Sequence, residues 1–323
     1  MANPRGGRRA RPGADAGRLA LAALLLLLVA GCSIKRMAAN GVADALTSGR
    51  DVYGMDEDPE LVGAALPFAL KTLESLLEIV PENRKLLLTA CRGFTQYGYG
   101  YVQIEADQYD ATDYAKANAM RERALKLYLR ARGYGLRSFE LAYPGIGKLL
   151  PVHPDSALKR VKKDDVPLLF WTAAAWGSAI SLGTDRPELT ADVSVVKALV
   201  RRALALDEGY DHGAIHEGMV ILEALPEMMG GSVERARTHF DRAVVLSNGV
   251  RAGPYVTWAR AISVQAQNRA EFDSLLHVAL TIDPDQDPNN RLATILLQRR
   301  ARWLLEHADE LFIDSPNTDT EEK

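Results

Sequence analysis

Asp192-Val193-Ser194-Val195-Val196-Lys197-Ala198-Leu199-Val200-Arg201-Arg202-Ala203-Leu204-Ala205-Leu206-Asp207 carries a pattern that returns twice before the chain ends. Asp192, Ser232 and Asn268 are each suited to cap a helix N-terminus, because a short polar side chain can accept a hydrogen bond from the first free backbone N–H groups. Eight residues after each cap stands a bulky apolar side chain: Val200, Phe240 and Leu276. Eleven residues after each comes alanine, at Ala203, Ala243 and Ala279. Leu204, Val244 and Leu280 follow at twelve, and Leu206, Leu246 and Ile282 at fourteen. These offsets place one apolar face inward on each helix. A small residue fixed beside large ones marks a close approach between helices. Asn268 with Glu271 three residues on also fits a capping box.

Each of these helices is followed by a second apolar one, over about 210–225, 250–266 and 289–308. Two helices per unit of 36 to 40 residues is the period of a tetratricopeptide-like hairpin. One such unit cannot bury its own apolar face, so stacked neighbours must supply the core. The front of the chain follows the same grammar more loosely. Asp58-Pro59-Glu60 opens a helix, with Pro67 either starting a second one or kinking the first. Further helices are expected over 66–80, 86–105, 114–140 and 166–182, with a loop or short turns over 141–164, where Pro144, Pro151 and Pro154 fall. Strand signals are almost absent. The expected fold is all-α, a tetratricopeptide-like stack of helical hairpins forming an α–α superhelix.

The N-terminus carries a different message. Arg5, Arg8, Arg9, Arg11 and Arg18 precede the short apolar run Leu19–Val29, and Ala30-Gly31-Cys32 follows it. That is a secretory signal ending at a lipoprotein cysteine. The run is far shorter than the roughly 20 residues a spanning helix needs. The expected organisation is a signal peptide over 1–31, Cys32 as the lipidation site, a tether over 32–58, one helical domain over 59–313 and a polar tail over 314–323. The protein is then periplasmic, attached to the membrane through lipid alone. Ser33 after Cys32 favours the outer membrane over the inner. Loss of residues 1–31 removes five Arg and one Asp from the 39 basic and 42 acidic residues of the whole. The remaining 34 basic and 41 acidic residues carry a formal charge of −7, which argues against nucleic acid as a partner. Cys91 is the only other cysteine and lies in an apolar stretch, where it reads as a small buried hydrophobe.

Several polar and aromatic positions stand out. Tyr97 and Tyr101 are four apart on one helical face, beside Gly98 and Gly100, and Glu105 extends that face. The glycines permit either close helix packing or the approach of a ligand. Trp171 and Trp176 are five apart, so their directions diverge by about 140° and one can sit in the core while the other lines a site. His216 follows His212 by four residues, with Glu217 beside it. The zinc-protease order needs Glu directly after the first His, where this chain has Gly213, so no metal is expected. No nucleophile elbow and no phosphate-binding glycine loop occur, and neither an enzyme activity nor a cofactor is expected.

Five segments together carry a resemblance: Phe94-Thr95-Gln96-Tyr97 continuing to Glu105-Ala106-Asp107, Phe170 to Gly177, Asp211 to Glu217, Pro254-Tyr255-Val256, and Gln298 to Leu305. The chain resembles the T-component lipoproteins associated with tripartite ATP-independent periplasmic (TRAP) transporters. The resemblance implies an all-helical periplasmic lipoprotein that associates with the transporter's substrate-binding protein, with a homotrimeric scaffold among the assemblies it suggests. It also implies an apolar cleft or pore for a hydrophobic or amphipathic organic acid. Tyr97, Tyr101, Trp171, Trp176, His216 and Glu217 are the positions on which such a lining is placed, with Glu105 as a further partner-facing residue. The competing readings are a stand-alone ligand-binding lipoprotein and an envelope interaction protein unrelated to transport.

Overall fold

The computed structural model describes residues 34–313, so Cys32 and the tail after 313 lie outside the described residues. Among those described, every regular element is helical and none is a strand. No described helix is long and apolar enough to cross a membrane. The helices are α1 (34–47), α2 (Pro59–Ile79), α3 (Arg84–Tyr97), α4 (Tyr114–Ala142), α5 (Val166–Leu182) and α6 (Val193–Leu206). They continue as α7 (Ala214–Glu223), α8 (Val233–Leu246), α9 (Gly253–Trp258), α10 (Arg269–Thr281) and α11 (Arg291–Glu306).

Local chemistry sets most starts. Asp58 accepts from Leu61 N at 3.0 Å, and Pro59 occupies the first turn, where its missing N–H is harmless. α2 runs from Pro59 through Pro67 to Ile79 as one helix. Asn83, Asp113 and Ser232 cap α3, α4 and α8 in the same manner. Asn268 caps α10 through Glu271 N at 3.1 Å, but the Glu271 carboxylate does not return to Asn268. It accepts instead from Ser263 at 2.7 Å and Arg237 at 2.6 Å. Asp192 stands at the start of α6 without capping it, because its carboxylate accepts the Trp176 indole N–H at 3.2 Å.

The repeat is visible in burial as well as in sequence. Val200, Phe240 and Leu276 are buried, as are Ala203, Ala243 and Ala279. Leu204, Val244 and Leu280 are half-buried in the same register. Ala243 meets Gly213 at the start of the preceding helix α7, where a side-chain carbon on Gly213 would lie 3.2 Å from the Ala243 Cα. Small size at both positions is what lets α7 and α8 approach.

Helices pack in chain order from α2 to α11, and α11 returns to α2. Residues 34–47 form α1, with Ala39 and Ala43 buried, Asp44 paired to Lys85 at 2.8 Å and Asn40 bonded to Asn83 at 2.9 Å. The stretch after it reaches the far end of the chain. Leu292 N donates to Gly54 O at 3.0 Å, Arg291 donates to Met55 O at 3.3 Å, and Arg299 pairs with Glu60. First and last hairpins are thus in direct contact.

Two helices leave α geometry in mid-course. α3 continues as a π-helical segment over Gly98–Gln103, then as helix over Ile104–Asp107. α9 continues as a second π segment over Ala259–Ser263. Such wide turns insert one extra residue and re-aim side chains, often at functional sites.

Candidate functional site

The two π segments face each other. Tyr99, on the first, accepts from Arg260 on the second at 3.4 Å. Gly98 makes room for the Tyr128 ring, since a side-chain carbon there would lie 2.9 Å from it. Tyr128 in turn donates to Gln103 at 2.6 Å. Gly100 lies against Leu296 of α11, 3.2 Å from where a side chain would start. Glycine at these two positions therefore serves helix packing directly.

Asp107, at the end of the α3 extension, joins this group from below. It pairs with Arg300 of α11 and with Arg121 of α4, the latter at 2.9 Å. Arg300 is only 3% exposed, and its Nε and Nη1 have no partner among the described residues. Its guanidinium lies over the Trp303 ring at 4.7 Å. Burial pulls the Arg300 pKa down from its ordinary value, and the like charge of Arg260 pulls it further. Arg121 and Arg300 thus share Asp107, Asp110 is paired to Arg121 alone, and Arg260 adds a third positive charge beside Arg300 with no ion pair among the described residues. Reading the sequence did not single out Arg260 or Arg300. The available signal was Arg300 itself, three residues after Leu297 and four before Leu304, on the apolar stripe of its helix.

A second group gathers near the starts of α5, α7 and α9. Arg92 of α3 pairs with Asp51 and lies over the Trp171 ring at 5.6 Å. Phe170 meets Trp171 edge-on at 5.1 Å and Tyr210 at 5.5 Å. Beside Tyr210 the backbone turns through three successive left-handed residues, Asp211 (φ 44°), His212 (φ 53°) and Gly213 (φ 93°). Only the glycine takes that conformation without strain. Arg251 holds the turn, donating to Asp211 O at 2.8 Å and to its carboxylate at 2.9 Å. Asp287 holds Arg251 from the other side, also at 2.9 Å. Burial works against the Arg251 charge, but the two aspartates outweigh it and its pKa lies above the ordinary value.

The residues singled out in sequence fall into separate surroundings. Tyr97 and Tyr101 stack at 5.8 Å, as their spacing implies. Tyr97 is buried and accepts from Arg123 at 3.0 Å. The Tyr101 ring lies against Gly63 of α2, and burial pushes its hydroxyl pKa up to about 12. That hydroxyl has no partner among the described residues. Glu105 is exposed. Trp171 is half-buried in the Arg92–Tyr210 group, whereas Trp176 is buried with its indole N–H on Asp192 and Arg132 over its ring at 4.9 Å. The tyrosine pair and Trp171 therefore belong to different clusters.

His216 and Glu217 also part company. His216 turns to α8, its Nδ1 at 2.9 Å from that of His239 and its Nε2 at 3.5 Å from Glu208. Burial lowers the pKa of both histidines. His212 is exposed and not part of the pair. Glu217 turns to α9, where Thr257 donates to it at 2.8 Å and Gly253 leaves room for its carboxylate. Burial pushes the Glu217 pKa up, against the pull of Thr257 and Arg251. Among the described residues no group of acids, histidines and cysteine is arranged to hold a metal. Cys91 is buried beside Thr172 and Gly135, and burial pushes its thiol up to about 12.

Comparison with known proteins fits this all-helical frame. The family model described as TRAP transporter T-component matches residues 55–312. An uncharacterized protein of Treponema pallidum (strain Nichols) is 34% identical over 309 residues, which cover 89% of this chain and 95% of that protein. The matched span begins at Met55, whose carbonyl accepts from Arg291 of α11, and ends at Phe312, after α11. With four-fifths of its length matched, the chain belongs to the TRAP transporter T-component family.

Proposed function

We propose that this protein is a lipid-anchored periplasmic scaffold of a TRAP-type transport system. In this reading its helical hairpins stack in the tetratricopeptide manner, dock the system's substrate-binding protein and offer an internal face to a hydrophobic or amphipathic organic acid. Cys32 carries the anchor, and Ser33 directs it to the outer membrane. The observation that carries the reading is the pairing of family with architecture: a T-component chain whose last hairpin returns to its first, with half-buried Tyr99 and Leu296 where the α3 extension meets α9 and α11, and half-buried Trp171 and Tyr210 in the group around Arg92. Aromatic side chains with polar tips suit the border between an apolar ligand and its carrier. Trp171, half-buried in the group around Arg92, is the residue of the original set best placed for that task.

The test is titration of the substrate-binding protein of the same system into the full-length lipoprotein in detergent, followed by calorimetry. Saturable binding that weakens in W171A, with an unchanged circular-dichroism melt, is the expected result. Absence of binding with the carrier both loaded and empty would remove the docking role. Membrane partitioning of C32A tests the anchor separately, and that variant is expected to leave the detergent phase.

A further inference from the structure

We propose that Arg260, Arg300 and the Tyr99 hydroxyl form a receptor for the carboxylate of an apolar organic acid. This rests on the ligand-binding half of the proposed function and not on docking, so the two can fail separately.

The charge balance at the π-segment junction motivates it. Arg300 is buried with two nitrogens lacking partners among the described residues. An unsatisfied buried donor costs about 1–3 kcal/mol, and more when it is charged. Asp107 cannot settle the account alone, because it is shared with Arg121 at 2.9 Å. Arg260 adds a second positive charge close by, and its one hydrogen bond among the described residues is the long 3.4 Å contact to Tyr99. Tyr99 and Arg260 are half-buried, so an incoming group reaches them first, with Arg300 behind. One negative charge restores the balance, as a carboxylate does and a doubly charged phosphate overshoots. A carboxylate also accepts from several N–H and O–H donors at once, and arginine presents its donors in a matching plane.

The surroundings define the rest of the ligand. The Trp303 ring lies beneath Arg300 at 4.7 Å, and Leu296 lies beside Gly100. These offer apolar contact adjacent to the charge, which fits an aliphatic or aromatic tail. The two π segments give the arrangement its geometry, since each re-aims one of the facing residues, Tyr99 and Arg260.

Sodium octanoate is the probe, added to the full-length protein at constant ionic strength, with 1-octanol and sodium chloride as controls. Tryptophan fluorescence reports binding, because Trp303 touches Arg300, and a thermal melt reports stability. The expected result is a saturable fluorescence change and a raised melting temperature with octanoate alone. R260Q and R300M should each weaken octanoate binding by about tenfold or more, the loss of a charge-assisted contact. Without octanoate R260Q should melt no lower than the parent, since it removes an uncompensated positive charge, and R300M should lose little, since Asp107 keeps Arg121. No saturable octanoate binding by the parent, equal binding of octanol, or unchanged affinity in the variants would overturn the proposal. Should R300M fail to fold, the half-exposed R260Q decides alone.

Discussion

Arg251, half-buried, and Arg300, buried, are two arginines with opposite electrostatic settings. Arg251 has a carboxylate on each side, Asp211 and Asp287, and a backbone carbonyl besides. Arg300 has one carboxylate, already engaged by Arg121, and a second arginine for a neighbour. Burial disfavours both charges. At Arg251 the partners overcome it, and at Arg300 they do not. A guanidinium whose partners are complete is a structural clamp, here on a left-handed turn that would otherwise be strained. One whose partners are incomplete is held ready for something else.

The largest effect should come from breaking the complete set. R251M leaves two aspartates facing each other and frees the Asp211–Gly213 turn, so a denaturant melt should show a loss of about 3 kcal/mol or more. A243F should cost about 1–3 kcal/mol by overpacking. Because Ala243 abuts Gly213 of the same turn, its loss should not add to that of R251M. Additive losses in the double variant would separate the alanine contact from the clamp. R300M should cost no more than about 1 kcal/mol, since Asp107 keeps Arg121 and an unpaired buried charge is gone. A loss equal to that of R251M would erase the distinction between the two arginines.

The smallest effect concerns pH. Glu217 has a raised pKa in the fold, so its protonated form is the favoured one. Its contribution to stability is full below the ordinary carboxyl range and is lost as pH rises through the folded value. E217Q keeps a partner for Thr257 without the charge. Melts between about pH 4 and 7 should therefore fall less steeply with rising pH in E217Q than in the parent. Parallel profiles would show that Arg251, close by, already neutralises this carboxylate.

Much of the helical order was legible because it is local. Ser232 and Asn268 cap as their chemistry predicts, and the three alanines are buried at their repeated offset. Asp192 departs from the pattern because a long-range donor, the Trp176 indole, claims its carboxylate. Glu271 departs for the same reason, claimed by Ser263 and Arg237. Gly98 and Gly100 flagged an unusual stretch, yet nothing in residue type distinguishes a π turn from an ordinary one. Stretch 32–58 has the Ala, Gly, Ser and Asp of a tether, and within it 34–47 is helical and docks on α3 through Asp44 and Asn40. Pairing of Tyr99 with Arg260 and of Asp107 with Arg300 joins residues more than 160 positions apart. Such contacts follow from the packing of all the helices between them, which no local pattern encodes.

The return of α11 to α2 changes how the molecule comes apart. In an open row of hairpins each unit leans only on its neighbours, so unfolding begins at a free end and proceeds by fraying. Here Gly54, Met55 and Glu60 hold Leu292, Arg291 and Arg299, and the row has no free end among the described residues. Releasing any one unit breaks two interfaces at once. The expected melt is a single cooperative transition, and shortening the chain at its C-terminus strips cover from its first hairpin as well as its last.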